Sequence, residues 1–144
     1  MSNYRNIIFP VTIALIGIGF CWLFALMASP EWGPPGTTAY LAYEARNRLI
    51  PLPLFLMALG FIVIYVHHRR VVGRLGGVAF VIILLGIVLM FIGNVAEFWL
   101  FTTLPYGTSN GRALAWSIFL VGALSFISGS PIFTFTFVRG WNHS

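Results

Sequence analysis

The chain has 144 residues, of which 59% are hydrophobic and only 8% charged, and its mean hydropathy is +0.93. A soluble domain is about 45–50% apolar and about 25% charged, so this composition excludes a water-soluble globule, a disordered chain and a coiled coil. The formal net charge of +5 comes from 8 arginines and 3 glutamates. The arginines lie at the ends of apolar runs, as membrane topology requires, and this argues against a nucleic-acid partner.

Four apolar stretches without a charged residue or a histidine follow one another along the chain, and they contain 25, 18, 22 and 26 residues. About 20 helical residues cross a hydrocarbon core about 30 Å thick. In lipid the backbone must pair within its own segment, so each stretch should be a helix. We therefore predict an all-α integral membrane protein with four transmembrane helices in an antiparallel bundle. The predicted spans of this single membrane domain, 1–144, are approximately 7–28, 49–68, 76–102 and 113–138.

The orientation follows from the arginines in the short loops. If the N-terminus is inside, five arginines lie on the cytoplasmic side and three on the outer side. The positive-inside rule then predicts that both termini are cytoplasmic and that the protein is integral to the cell (plasma or inner) membrane. The tight loop at about 69–75 should make the second and third spans antiparallel neighbours. Its arginines, Arg69, Arg70 and Arg74, are predicted to contact anionic lipid headgroups.

The segment after the first span begins with a turn rich in proline and glycine, at 29–36. A short helix capped by Thr37 or Thr38 is expected next, with Glu44 and Arg48 paired across one helical turn. Pro51 and Pro53 should fall in the first turn of the second span, where a missing N–H costs little.

The third span carries a stripe of Gly86, Met90 and Gly93 on nearly one face, which is typical of a close helix–helix interface. Asn94 and Glu97 follow, and they share a face because they are three residues apart. An ionisable residue inside a predicted span is a functional hypothesis by default. Counted from a helix start near Val78, however, Glu97 lies about 29 Å along the axis, close to the outer interface.

Two interpretations of Glu97 stay open. The favoured one is structural, an ion pair with an arginine on the same outer side, which could be Arg46, Arg48 or Arg112. The other is a binding site for a ligand or an ion, formed by Glu97, Asn94 and these arginines, or a role in proton handling.

The fourth span contains the sequence Ser128-Gly129-Ser130-Pro131. Pro131 has no N–H, so the carbonyl of Ile127 loses its helical partner. Ser128 or Ser130 is expected to help satisfy the backbone there. The feature is either a plain kink or a broken helix that lines a cavity and acts as a gate.

The sequence shows no nucleophile beside a base, no spaced Cys or His cluster and no phosphate-binding loop. The neighbouring His67 and His68 point about 100° apart on a helix and do not readily hold one metal ion. We therefore predict no catalytic residue and no metal site, and the sequence names no cofactor.

The function predicted from the sequence is that of a small non-catalytic accessory or assembly subunit of a larger membrane complex. Its partners would be the lipid bilayer and other membrane subunits or further copies of itself. The alternative is a small transporter or ligand-binding bundle that uses Glu97, Asn94 and the outer-side arginines, with Pro131 as its gate.

Overall fold

The structure is a computed structural model that describes residues 2–27, 34, 36–101 and 110–141. This part of the chain is helical and contains no strand. A π-helix, Ala96–Leu100, directly continues the third of four α-helices. The α-helices are α1 (Ser2–Met27), α2 (Thr38–Asn47), α3 (Pro51–Val95) and α4 (Asn110–Trp141).

The local signals at the helix starts act as the sequence predicts. The Oγ1 of Thr37 accepts a hydrogen bond from the Tyr40 N–H at 3.3 Å and so caps α2. Pro51 and Pro53 lie in the first turn of α3. Both predictions are confirmed.

Helix α3 folds back on itself at Gly73. This residue has φ 65° and ψ −166°, a conformation that glycine adopts far more readily than residues with a side chain. The ring of Tyr65 stacks on that of Phe80 with 4.1 Å between centroids, whereas a straight helix would separate them by about 22 Å. We call residues 51–72 α3a and residues 74–95 α3b. The predicted turn at 69–75 is thus present, but the helix continues up to Gly73 because that residue alone makes the reversal.

The glycine stripe of α3b packs directly against the backbone of α4, as predicted. A Cβ atom on Gly93 would lie 2.6 Å from both the Ala115 carbonyl oxygen and the Phe119 nitrogen. A Cβ atom on Gly86 would lie 2.7 Å from the carbonyl oxygen of Gly122. Higher residue numbers on α3b meet lower ones on α4, so the two helices are antiparallel.

We expect Gly93→Ala to lower the free energy of unfolding by about 1–3 kcal/mol, because the added methyl group meets backbone atoms that cannot rotate away. Gly17→Ala is the matched control, since a Cβ on Gly17 meets nothing within 4 Å. It should be neutral or gain up to about 1 kcal/mol from helix propensity. Unfolding by sodium dodecyl sulfate, followed by circular dichroism, measures both. Equal losses in the two variants would refute the close packing at Gly93.

Helix α1 packs antiparallel against α3a. Ile16 fits against Gly60, and a Cβ on Gly19 would lie 2.7 Å from the Cγ of Met57. The ring of Phe61 joins α3a to α4 by edge-on contacts with Phe126 at 5.8 Å and Phe133 at 6.0 Å. Helices that follow one another, α1 with α3a, α3a with α3b and α3b with α4, therefore run in opposite directions around one apolar core, and α3a runs parallel to α4.

The outer surface of the helices is strongly apolar. Phe24, Leu100 and Leu124 are each more than 60% exposed. Two helical stretches, Thr38–Leu100 and Gly111–Gly140, are long and apolar enough to cross a membrane, and Val11–Met27 is a shorter apolar helix. The 22 residues of α3b alone span roughly 33 Å by the helical rise.

Helix α4 continues through Pro131 to Trp141. The hydroxyls of Ser128 and Ser130 each donate at 2.7 Å, to the carbonyls of Leu124 and Phe126. The prediction that they help the carbonyl of Ile127 is therefore wrong. A serine hydroxyl in a helix commonly bonds the carbonyl four residues before it. For Ser128 and Ser130 these carbonyls belong to Leu124 and Phe126, whereas Ile127 is four residues before Pro131.

Candidate functional site

Helix α2 lies across the end of the bundle that is remote from Gly73, where a buried polar network holds it. An Nη2 of Arg112 lies 3.0 Å from the Glu44 Oε1, and their side chains are 3% and 11% exposed. The hydroxyl of Tyr40 donates to the same oxygen at 3.0 Å and accepts from the Arg112 Nη1 at 3.0 Å. A charged pair with two further hydrogen bonds thus attaches α2 to α4.

Two arginines also bind carbonyls in the π-helix and directly after it. The Nε of Arg48 donates to the carbonyl of Phe98 at 3.0 Å, and the Nε of Arg112 donates to that of Phe101 at 2.9 Å. Basic side chains are favourable at helix C-termini because the final carbonyls have no partner within the helix. The expected pair of Arg48 and Glu44 is present with 4.0 Å between Nη2 and Oε2.

A partly enclosed cavity of about 130 Å³ lies beneath α2, and all four helices and the π-helix contribute to its wall. Its polar lining comes from one face of α2 and from the end of α3, and most of the remainder is aliphatic or aromatic. The lining residues are Leu26, Met27, Tyr43, Arg46, Asn47, Ile50, Asn94, Glu97, Phe98, Trp116 and Phe119.

Asn94 is the unusual member of this wall. Its side chain is 1% exposed, and its Oδ1 has no hydrogen-bond partner among the described residues. A buried amide oxygen without a donor costs about 1–3 kcal/mol. An occupant of the cavity that offers an N–H or O–H group would remove this cost.

Glu97 lines the same cavity and is 4% exposed. It belongs to the π-helix, in which the Phe101 N–H donates to the carbonyl of Ala96, five residues earlier, at 2.9 Å. The π-helix is rare and often occurs at functional sites. Nothing in the sequence predicts this widened turn, and it buries Glu97 and Phe98 side by side.

The structure brings together three of the predicted binding residues, Glu97, Asn94 and Arg46, on the cavity wall. Arg48 and Arg112 do not line the cavity, since both hold α2 in place from outside it. Arg112 pairs with Glu44, because α2 packs against the start of α4.

Tyr43 and Asn47 also line the cavity, although neither is among the binding residues predicted from the sequence. Tyr43 contacts Phe98 edge-on at 5.8 Å between ring centroids, and its carbonyl accepts from the Asn47 Nδ2 at 2.8 Å. A usable signal exists: once Thr37 fixes the start of α2, residues 43, 46 and 47 must share one helical face.

The other predicted residues lie away from this cavity. Pro131 is exposed and 15 residues beyond Trp116, roughly 22 Å along α4, so it is not at the cavity. Arg69, Arg70 and Arg74 are exposed around the Gly73 turn. His68 is buried against Phe137, with 5.2 Å between ring centroids. The described residues contain no group of three His, Cys, Asp or Glu side chains that could hold a metal ion.

No protein-family model matches the chain, and neither a curated protein nor a solved structure is significantly similar to it.

Proposed function

We propose that the protein is a membrane-embedded solute-binding protein, and that the cavity beneath α2 binds a small uncharged molecule with a hydrogen-bond donor. The buried Oδ1 of Asn94 carries this proposal, because it is an acceptor without a donor in a residue that lines the cavity. Buried polar atoms are almost always paired, and an exception in a pocket calls for an occupant.

The size and charge of the cavity define the class of solute. An engineered apolar cavity of about 150 Å³ binds benzene, so about 130 Å³ suits a molecule of roughly six heavy atoms. Glu97 and Arg46 bring one negative and one positive charge to the wall. A solute with a net charge would therefore be attracted by one and repelled by the other.

The apolar part of the wall supports a solute rather than water alone. Phe98 and Phe119 are 3% and 4% exposed, and Ile50 is 2% exposed. Water needs two to four polar partners to be held in a buried site, whereas an organic molecule can use the aromatic and aliphatic surfaces. This combination of a few polar groups and an apolar wall is typical of ligand sites.

The test uses two matched pairs of probes, phenol with benzene and acetamide with acetate, added to the full chain in mild detergent. Phenol differs from benzene by a donor, and acetate differs from acetamide by a negative charge and the loss of its N–H groups. We expect phenol and acetamide to raise the midpoint of thermal unfolding. At a hundredfold excess of the probe over its Kd, the free energy of unfolding should rise by about 2.7 kcal/mol. Benzene and acetate should have no comparable effect.

Asn94→Leu should abolish the effect of phenol and acetamide, while Thr136→Val, at the Gly73 end of the bundle, should leave it unchanged. Equal stabilisation by phenol and benzene would show that Asn94 does not select the occupant. No response to either donor-bearing probe would contradict the proposed binding function.

We further propose that α1, α3a, α3b and α4 all cross the cell membrane, with α2 and the cavity on the outer side and both termini in the cytoplasm. Arg69, Arg70, Arg74 and Arg139 lie around the Gly73 end, whereas Arg46, Arg48 and Arg112 lie at the α2 end. This asymmetry supports a cytoplasmic Gly73 turn. A reporter fused after Ser144 should be active only in the cytoplasm, and activity only on the outer side would reverse this orientation.

The accessory-subunit function, with other membrane subunits or a second copy as partner, stays a prediction. It rests on the small size of the chain and on its apolar outer surface. Contact with the lipid bilayer explains the apolar surface equally well. Copurification in fixed proportion with a larger membrane protein would support it.

A further inference from the structure

A second recess lies at the other end of the molecule, around the Gly73 turn. It is an open groove of about 850 Å³ between α3a and α3b. Arg69 and Arg70 reach it from α3a, and Arg74 reaches it from α3b. All three side chains are exposed.

The groove is apolar away from these arginines. Val78, Val81 and Ile82 line it along α3b. Between Arg74 and Ile82 the helix rises about 12 Å. The groove therefore has a positively charged end at the arginines, followed by an apolar part of about that length. This is the order of surfaces along a membrane phospholipid, from the phosphate into the acyl chains.

Gly77 keeps the groove open next to the turn. A Cβ at this position would lie only 3.2 Å from the hydroxyl of Tyr65, which is held by the stack of its ring on Phe80. A larger side chain would therefore fill the space between the arginines and the apolar channel.

The positive charge of the groove is not compensated within the part of the chain that the structure describes. Arg69, Arg70 and Arg74 form no ion pair there. The described acids, Glu44 and Glu97, lie at the α2 end, roughly 33 Å away along α3b. Three uncompensated guanidinium groups that converge on one groove are complementary to a phosphate, which arginine binds through paired hydrogen bonds.

We propose that this groove binds one anionic phospholipid molecule. Its phosphate lies among Arg69, Arg70 and Arg74, and one acyl chain runs past Gly77 along Val78 and Ile82. This goes beyond general attraction of the turn to a charged membrane surface, because it assigns a single molecule to a defined groove. It concerns a different ligand and the opposite end of the bundle from the cavity beneath α2.

The experiment is native mass spectrometry of the full chain, purified in mild detergent and mixed with phosphatidylglycerol and phosphatidylcholine of equal chain length. We expect one phosphatidylglycerol per chain to be retained in preference to phosphatidylcholine. Single replacements Arg69→Gln, Arg70→Gln and Arg74→Gln should each weaken this binding by about fivefold, the effect of one basic residue near an anionic lipid. Arg139→Gln removes an equal charge from the same end but outside this groove, and it should change binding less than twofold.

Gly77→Leu provides a test that leaves the charge unchanged. It should abolish the specific binding while the unfolding midpoint shows that the chain is folded, and the arginine series decides the matter if this variant does not fold. Equal losses with Arg139→Gln and the groove variants would overturn the proposal in favour of general electrostatic attraction. Displacement by an excess of inorganic phosphate would also overturn it, since a free anion would then suffice.

Discussion

Arg112→Leu is expected to lower the free energy of unfolding by about 3–5 kcal/mol, because it leaves a buried carboxylate without its cation. Glu44 would lose the contact at 3.0 Å, the hydroxyl of Tyr40 would lose a donor, and so would the carbonyl of Phe101. Detergent-based unfolding followed by circular dichroism measures the loss. Since these contacts attach α2, solute binding in the cavity should weaken as well.

Arg48→Leu is the matched control for this experiment. Arg48 also faces Glu44, but at 4.0 Å and with a side chain that is 42% exposed, so that ion pair should contribute only about 0–1 kcal/mol. The double variant Glu44→Leu with Arg112→Leu should be more stable than Arg112→Leu alone, because neither charge is then left buried by itself. Additive losses in this cycle would show that the two side chains do not act as a pair.

Asn94→Leu is expected to raise the free energy of unfolding by about 1–3 kcal/mol in the absence of solute and to abolish solute binding. The replacement has a similar size and removes a buried oxygen that lacks a donor, so its desolvation cost disappears. Few substitutions of a buried polar residue stabilise a protein, and the opposite signs of the two effects make this variant informative. Unfolding experiments with and without phenol measure both.

Thr136→Val is the control for the stability gain. Thr136 is 9% exposed and lies at the other end of the bundle, but its Oγ1 donates to the carbonyl of Phe133 at 2.8 Å. Its replacement should therefore lose about 1 kcal/mol and leave solute binding intact. A loss of stability in Asn94→Leu comparable to that in Thr136→Val would mean that the Asn94 oxygen has a donor in the native protein.

The local features of this fold could be predicted because each depends on neighbouring residues. Thr37 caps α2, Pro51 starts α3, and the glycine stripe that includes Gly86 and Gly93 packs against α4, all as the spacing of these residues predicts. The all-helical class follows from composition, because lipid leaves the backbone few alternatives.

The site itself depends on contacts that linear spacing does not determine. Glu44 and Arg112 are 68 residues apart, and three arginines, Arg46, Arg48 and Arg112, could pair with either acid, so the sequence does not determine the partner. The π-helix that buries Glu97 has no compositional signal. The single residue at which α3 reverses, Gly73, could not be distinguished from Gly76 or Gly77 by sequence alone, because all three tolerate a turn.

Calorimetric titration of the purified chain with phenol tests the central claim most directly. We predict saturable binding of one phenol molecule per chain, no binding to Asn94→Leu, and much weaker binding of benzene to the unaltered chain. Binding of phenol that persists in Asn94→Leu, or that benzene matches, would contradict the claim that the buried oxygen of Asn94 selects a donor-bearing solute.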